Sequence, residues 1–167
     1  MTAVPILVVI GAPGAGKTRV GRRVARLLHT GFIDVDRRIV AGHGPIAQIF
    51  AERGEEYFRT LERAEVVKAL SENAVVSLGG GAILNTDTQR DLAGYRVALM
   101  TVSPQAVESR VGGTKRPLLT DGIEAWQRLV AARRDVYERL ATRSWDTSDR
   151  EVEPIAQEIA AWVRANE

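Results

Sequence analysis

The segment from Gly11 to Thr18 restricts the possible folds more than any other part of the chain. Its residues match the pattern G-x-x-x-x-G-K-S/T at every fixed position. Residues 4–10, which precede it, are almost wholly apolar, as in a strand that is buried on both faces. Residues 16–28, which follow, have the apolar spacing of a helix. The sequence therefore predicts a glycine-rich loop between a buried strand and a helix, the arrangement in which this motif binds phosphate groups.

The residues of this segment have distinct predicted tasks. Glycines let the backbone curve tightly enough for successive N–H groups to point at phosphate oxygens, and the helix presents its positive N-terminal end to the same oxygens. The lysine can reach the β- and γ-phosphates of a nucleotide, and the threonine hydroxyl can bind Mg²⁺. The predicted nucleotide-binding residues of this segment are Gly11, Gly14, Ala15, Gly16, Lys17 and Thr18.

Length and composition exclude several classes of protein. A chain of 167 residues has the size of one domain, so we expect a single domain over residues 1–167. The formal net charge is only +2 and no run of five or more basic residues is present, so no nucleic-acid partner is expected. The absence of cysteine excludes disulfides and thiolate metal sites.

No targeting or membrane signal is evident in the sequence. The first residues lead directly into the predicted strand, without the basic segment and cleavage site of a signal peptide. No run of 18 apolar residues is present. We therefore expect a cytoplasmic protein with no membrane partner and, since no exposed heptad pattern is evident, a monomer.

The rest of the chain alternates between predicted strands and helices. Further strands are predicted near residues 31–36, 74–78, 96–102 and 145–147. The predicted helices that follow the first one cover residues 46–53, 55–71, 86–92, 104–111, 123–141 and 154–164. This alternation predicts the α/β class: a three-layer α/β/α sandwich with a five-stranded parallel sheet, the P-loop NTPase fold.

Two carboxylates end the second predicted strand. Asp34 and Asp36 would lie at the carboxyl edge of the sheet, where ligands bind in open α/β folds. Asp36 could hold and polarise an acceptor hydroxyl. The alternative is structural, with Asp36 capping a helix that begins at Arg37.

Three consecutive glycines, at positions 79–81, follow the third predicted strand. They exceed what a tight turn needs and suggest that the backbone approaches a ligand closely, although a plain strand–helix turn is the alternative. The polar segment of about residues 112–122 has the character of a mobile lid.

Two arginines could bind an anionic group on the acceptor. Arg133 falls on the apolar face of the helix predicted for residues 123–141, where a charge is costly unless it is paired. It either extends its charged end to solvent or pairs with a carboxylate, or else it points into a cleft at an anionic ligand. Arg59, which lies three residues before Glu62, could act with Arg133 as a clamp. These residues together predict a kinase for a small, anionic, hydroxylated metabolite.

The chain resembles the shikimate kinase family along nearly its whole length. Besides residues 11–18, the shared elements are Asp34-Val35-Asp36, the G-E-x-x-F-R-x-x-E pattern of residues 54–62, residues 77–82, Arg116-Pro117-Leu118-Leu119, and Arg133 four residues before Tyr137. The resemblance implies phosphorylation of the 3-hydroxyl of shikimate, with ATP as co-substrate and Mg²⁺ as the metal, in the route to aromatic compounds.

The resemblance also implies roles for particular residues. Asp36 would bind the shikimate hydroxyls and be the candidate base, and Arg59, Arg133 and the backbone of Gly80 and Gly81 would hold the acceptor. The acceptor-binding segment would span about residues 34–62.

Further implied roles concern the nucleotide and the metal. Asp34 would help to hold Mg²⁺ through water beside Thr18, Arg110 would lie against adenine, and Arg116 would close onto the phosphates. The implied catalytic residues are Lys17, Asp36 and Arg116. Phe50 and Phe58 would line the pocket under the shikimate ring, and Glu62 would orient Arg59.

Two departures from the family pattern leave alternatives open. The segment from Arg110 to Arg116 is one residue short, and Arg150 is the nearest candidate for a second arginine at adenine. The alternatives are a related gluconate or nucleoside monophosphate kinase and, from another class, a nucleotide-binding regulator without acceptor chemistry.

Overall fold

Five parallel strands form the centre of the molecule in a computed structural model that describes residues 4–111 and 122–167. Their order across the sheet is β2-β3-β1-β4-β5. The strands are β1 (Leu7–Gly11), β2 (Gly31–Asp34), β3 (Ala74–Ser77), β4 (Val97–Thr101) and β5 (Arg143–Asp146). The parallel pairing confirms the predicted sheet, in which crossover helices connect the strands.

Helices cover both faces of this sheet. The helices are α1 (Lys17–Leu27), α2 (Val35–His43), α3 (Ile46–Leu70), α4 (Thr86–Leu92), α5 (Pro104–Val111), α6 (Gly122–Leu140) and α7 (Val152–Ala165), with a 3₁₀ turn at Ala82–Leu84. Alternate residues of β1 serve the two layers: Leu7 and Val9 pack with α1 and α7, whereas Val8 and Ile10 pack with α2, α3 and α6. This arrangement confirms the three-layer α/β/α architecture.

The second strand ends earlier than its sequence indicates. Val35 was expected in the strand, but it is the buried first residue of α2. Asp34 caps this helix, because its Oδ1 accepts the backbone N–H of Arg37 at 3.2 Å. The proposed cap at Asp36 is therefore wrong, and Asp36 lies inside the first turn of α2.

Two residues mark where helices bend or begin. Gly54 interrupts α3 with φ +85° and ψ +168°, a conformation that glycine adopts readily, so the chain bends between residues 46–53 and 55–70. Ser103 caps α5, because its Oγ accepts the backbone N–H of Ala106 at 3.1 Å.

No helix within residues 4–111 and 122–167 is long and apolar enough to cross a membrane. The predicted lid, apart from Gly122, lies outside the described residues, and so does Arg116.

Candidate active site

The glycine-rich loop connects β1 to α1 at the carboxyl edge of the sheet. Gly14 and Gly16 have φ values of +83° and +90°, which glycine tolerates without strain. Gly11 has a different constraint, since a Cβ there would lie 2.4 Å from the carbonyl oxygen of Met100 on β4. The loop is therefore shaped by glycine conformation on one side and by close packing against β4 on the other.

Lys17 and Thr18, which begin α1, both donate hydrogen bonds within the site. Lys17 Nζ donates to the carbonyl oxygens of Gly11, at 2.8 Å, and Ala12, at 3.0 Å. Thr18 Oγ1 donates to Asp34 Oδ2 at 3.1 Å. The hydroxyl and carboxylate predicted to serve Mg²⁺ are thus brought together from α1 and the end of β2.

The oxygen donors of Thr18 and Asp34 fit Mg²⁺. This ion prefers oxygen ligands and is usually held by one or two protein groups together with water and substrate phosphates. Among the residues described, no group of three or more His, Cys, Asp or Glu side chains could hold a metal ion. The two oxygen donors of Thr18 and Asp34, beside the phosphate loop, agree with this mode of Mg²⁺ coordination.

Asp36 lies half-buried beside this pair. Burial raises the pKa of Asp36 above its ordinary value of 3.8, and the nearby charge of Asp34 raises it further. The charges of Lys17 and Arg59 act in the opposite direction. Asp36 is therefore electrostatically linked both to the phosphate loop and to Arg59 on α3.

Arg59 is held by a buried carboxylate. Its Nη1 donates to Glu62 Oε1 at 2.8 Å, and its Nε lies 3.6 Å from Glu55 Oε1. Glu62 is only 4% exposed, and burial raises its pKa, an effect that the hydrogen bond from Arg59 opposes. The predicted pairing of Arg59 with Glu62 is present, and it fixes the guanidinium on the sheet side of α3.

Three consecutive glycines after β3 each face one of the charged side chains. A Cβ at Gly79 would lie 2.7 Å from Asp36 Oδ1, and one at Gly81 would lie 2.8 Å from Arg59 Nη2. A Cβ at Gly80 would lie 2.9 Å from Arg133 Nη1. None of the three has a positive φ, so close approach, not turn geometry, requires glycine here.

Arg133 reaches this loop from α6. Within residues 4–111 and 122–167, no carboxylate lies within ion-pair distance of it. Its charge reaches Glu62 and Tyr137, where it opposes the burial that raises their pKa values. Arg133 thus lies against Gly80, which lines the cleft beside the phosphate loop, and its assignment to an anionic ligand stays a prediction.

The phosphate loop has three further supports, and two of them were missed. Arg110 Nη1 donates to the Gly14 carbonyl at 2.9 Å, which places this predicted adenine-contacting residue beside the loop. The buried Thr147 donates to the Ala15 carbonyl at 2.8 Å, and Trp126 Nε1 donates to the Pro13 carbonyl at 2.8 Å. Neither Thr147 nor Trp126 belongs to a motif, and each joins the loop across more than 100 residues of the chain, so no local signal indicated them.

Other predicted residues lie farther from the centre of the site. Phe50 and Phe58 stack with ring centroids 4.8 Å apart, and Phe58 lies under the Arg59 guanidinium at 5.3 Å. Arg150 lies along the nucleotide side of the cleft but pairs with Glu158. Its assignment to adenine stays a prediction.

The site residues line two adjoining cavities. A cleft of about 460 Å³ follows the phosphate loop, and its lining includes Lys17, Thr18, Asp34, Asp36, Gly80 and Arg110. A smaller cavity of about 270 Å³ lies on the far side of Gly81, where Arg59 and Glu62 form part of its wall. Asp36 therefore lines the cleft beside the phosphate loop, whereas Arg59 lines the cavity beside Gly81.

The fold and this site together define a phosphate-loop kinase, an enzyme that transfers phosphoryl groups from a nucleotide. Comparison with known proteins is more specific. Residues 13–164 match the family model for shikimate kinase. The chain therefore belongs to the shikimate kinase family, whose members are ATP-dependent phosphotransferases that act on a hydroxyl group.

Individual relatives agree with this placement. Shikimate kinase from Thermobifida fusca is 44% identical over 164 residues, which cover 96% of this chain and 95% of the relative. Shikimate kinase from Salinispora tropica is 46% identical over 162 residues, or 94% and 96% of the two chains. The structure of Acinetobacter baumannii shikimate kinase in complex with shikimate has a TM-score of 0.90, at 30% identity, and the alignment covers 99% and 96%.

Proposed function

We propose that this site transfers the γ-phosphoryl group of ATP to the 3-hydroxyl of shikimate, giving shikimate 3-phosphate and ADP. The observation that carries the proposal is the glycine triplet. It brings one carboxylate, from Asp36, and two guanidinium groups, from Arg59 and Arg133, against one short loop beside the phosphate loop. Shikimate carries a carboxylate, which is opposite in charge to the two guanidinium groups, and neighbouring hydroxyls, which can donate to the carboxylate of Asp36.

The acceptor would be held from opposite ends. Arg59 and Arg133 would bind its carboxylate, because a planar guanidinium recognises a carboxylate through two parallel hydrogen bonds. The Gly80 and Gly81 backbone would lie against the acceptor, since neither residue has a side chain to exclude it. This arrangement would direct the hydroxyls toward Asp36.

Asp36 would accept the proton of the attacking hydroxyl. In the transfer, a bond forms between the 3-oxygen and the γ-phosphorus, the bond from that phosphorus to the β–γ bridging oxygen breaks, and the bridging electron pair leaves with ADP. The raised pKa of Asp36 makes it a better proton acceptor than an exposed aspartate.

The phosphate side would act through charge and position. Lys17 would bind the β- and γ-phosphates, and the backbone N–H groups of the loop would bind their oxygens. Thr18, and Asp34 through water, would hold Mg²⁺, which neutralises phosphate charge when it is bound. Arg110 would lie against adenine, and Arg116 would close onto the phosphates. All of these groups come from one chain, so a monomer over residues 1–167 would suffice.

The test is ADP release from Mg²⁺-ATP by the purified protein, with and without shikimate. We expect a rate that depends strongly on shikimate and that is abolished in Asp36→Asn, with gluconate and nucleoside monophosphates inactive as acceptors. An ATP-binding protein that ignored shikimate but phosphorylated one of those other acceptors would contradict the proposal.

A further inference from the structure

The hydroxyl of Tyr137 lies between the two loops that form the site. Tyr137 Oη is 2.9 Å from the carbonyl oxygen of Gly80 and 3.3 Å from that of Gly11. Gly11 begins the phosphate loop, whereas Gly80 is the centre of the glycine triplet on the acceptor side. One hydroxyl is therefore within hydrogen-bond distance of both halves of the site.

The two loops also lie close together. A Cβ at Gly80 would lie 3.4 Å from Cδ of Pro13, which is about van der Waals contact. The Gly11 carbonyl that faces Tyr137 is the same one that accepts from Lys17 Nζ. The contact made by Tyr137 thus reaches a carbonyl that is shared with the lysine assigned to the phosphates.

Helix α6 holds this contact in place. Trp126, near its start, donates to the Pro13 carbonyl, and Arg133, one turn before Tyr137, lies against Gly80. Tyr137 is 4% exposed, and burial raises its pKa, so the phenol keeps its proton as a donor at working pH. A rigid, buried hydroxyl between two loops is well suited to fix one relative to the other.

We propose that Tyr137 is a positioning residue that couples nucleotide binding to acceptor binding. A nucleotide that orders the phosphate loop would also order Gly80 through Tyr137, so the acceptor would meet a loop that is already in place. The coupling is therefore positive, and the same factor must describe the effect of each ligand on the other. The inference rests on the proposed function, because it takes shikimate as the acceptor.

The test compares wild-type protein with Tyr137→Phe, which keeps the ring and removes only the hydroxyl. Shikimate dissociation constants are measured by calorimetry, without nucleotide and with saturating Mg²⁺-ADP, and their ratio is the coupling factor. We expect ADP to tighten shikimate binding in the wild type. Tyr137→Phe should reduce the coupling factor by about 2- to 10-fold, which is the contribution of one hydrogen bond. The reciprocal titration of ADP should give the same factors.

Tyr95→Phe is the matched control, because it makes the same chemical change outside both loops and should leave the factor unchanged. A merely structural role for Tyr137 would lower the unfolding temperature but preserve the factor, and that result would overturn the proposal. A coupling factor of one in the wild type would also overturn the proposal. A failure of the proposed function would look different, since shikimate would then neither bind nor be phosphorylated in any of the proteins.

Discussion

The two halves of the active site are built in different ways. The phosphate loop consists of consecutive residues, and in the proposed function it would act mainly through backbone groups that the glycines orient. The acceptor side draws its charged groups from three helices, with Asp36 on α2, Arg59 on α3 and Arg133 on α6. In the contiguous loop, neighbouring residues supply the binding groups, whereas the acceptor side exists only when these helices are packed correctly.

This difference predicts that the two halves can be impaired separately. Changes in the phosphate loop should lower the rate of transfer while leaving acceptor binding intact. Changes around the glycine triplet should weaken acceptor binding while leaving nucleotide binding intact. Tyr137 is the exception, because it contacts both halves.

The largest expected effect follows from Lys17→Ala. Removal of one preorganised cation at the transferring phosphate lowers kcat by about 10²–10³-fold. The unfolding temperature should change far less than the rate, because the proposed task of Lys17 is at the transferring phosphates. The measurement is steady-state kinetics together with a thermal melt, with Lys68→Ala as the exposed lysine control. A near-normal kcat would show that Lys17 takes no part in the transfer.

Arg133→Ala comes next and tests the acceptor half. Loss of a charged hydrogen bond should weaken shikimate binding by about 1.5–3 kcal/mol, or roughly 10- to 150-fold. The KM for ATP should stay within about twofold, since the contacts of the phosphate loop do not involve Arg133. Arg134→Ala, at an exposed position beside it, is the control. If the affinity for shikimate were unchanged, the role of Arg133 would be structural.

Gly81→Ala tests whether the glycine triplet makes room for the charged groups. The new Cβ would lie 2.8 Å from Arg59 Nη2, but Gly81 has φ −96°, which alanine also adopts. The backbone therefore tolerates the change, and the flexible guanidinium is what must move. We expect shikimate KM to rise about tenfold, on the scale of one charged hydrogen bond, with little loss of stability.

Gly94→Ala is the matched control for this substitution, because a Cβ at Gly94 would have no neighbour within 4 Å. If both variants bind shikimate as the wild type does, the close approach at Gly81 has no bearing on acceptor binding.

The smallest expected effect is that of Glu62→Gln, which keeps a hydrogen-bond acceptor for Arg59 but removes the charge. We expect shikimate KM to rise about threefold, near the low end for a hydrogen bond to a charged group.

The stability of the protein should also depend on the protonation of Glu62. Burial raises the folded-state pKa of Glu62 above its ordinary 4.5, so the charged carboxyl costs stability at neutral pH.

That cost is relieved as the pH falls through the raised pKa toward 4.5. The stability of the wild type relative to Glu62→Gln should therefore increase between neutral pH and about pH 4.5, as measured by urea unfolding at a series of pH values. The opposite slope would mean that the ion pair with Arg59 outweighs burial.

Much of the sheet could be predicted because its signals are local. The continuous apolar runs of residues 7–10 and 74–76 identify strands buried on both faces. Gly54 lies where α3 bends, and Ser103 lies where α5 begins. Val35 was misassigned because an apolar residue after a strand has the same pattern whether the strand continues or a helix begins there. Only the cap by Asp34 separates the two possibilities.

The sequence by itself determined the phosphate loop, since its function depends on the order of glycine, lysine and threonine along eight consecutive residues. It also indicated which charged residues belong to the acceptor side. Only the tertiary structure decided that Asp36, Arg133 and Arg59 each face one glycine of the triplet, and that Trp126, Thr147 and Tyr137 support the loops. These contacts join residues far apart in the chain, and their distances are fixed by how the helices pack on the sheet.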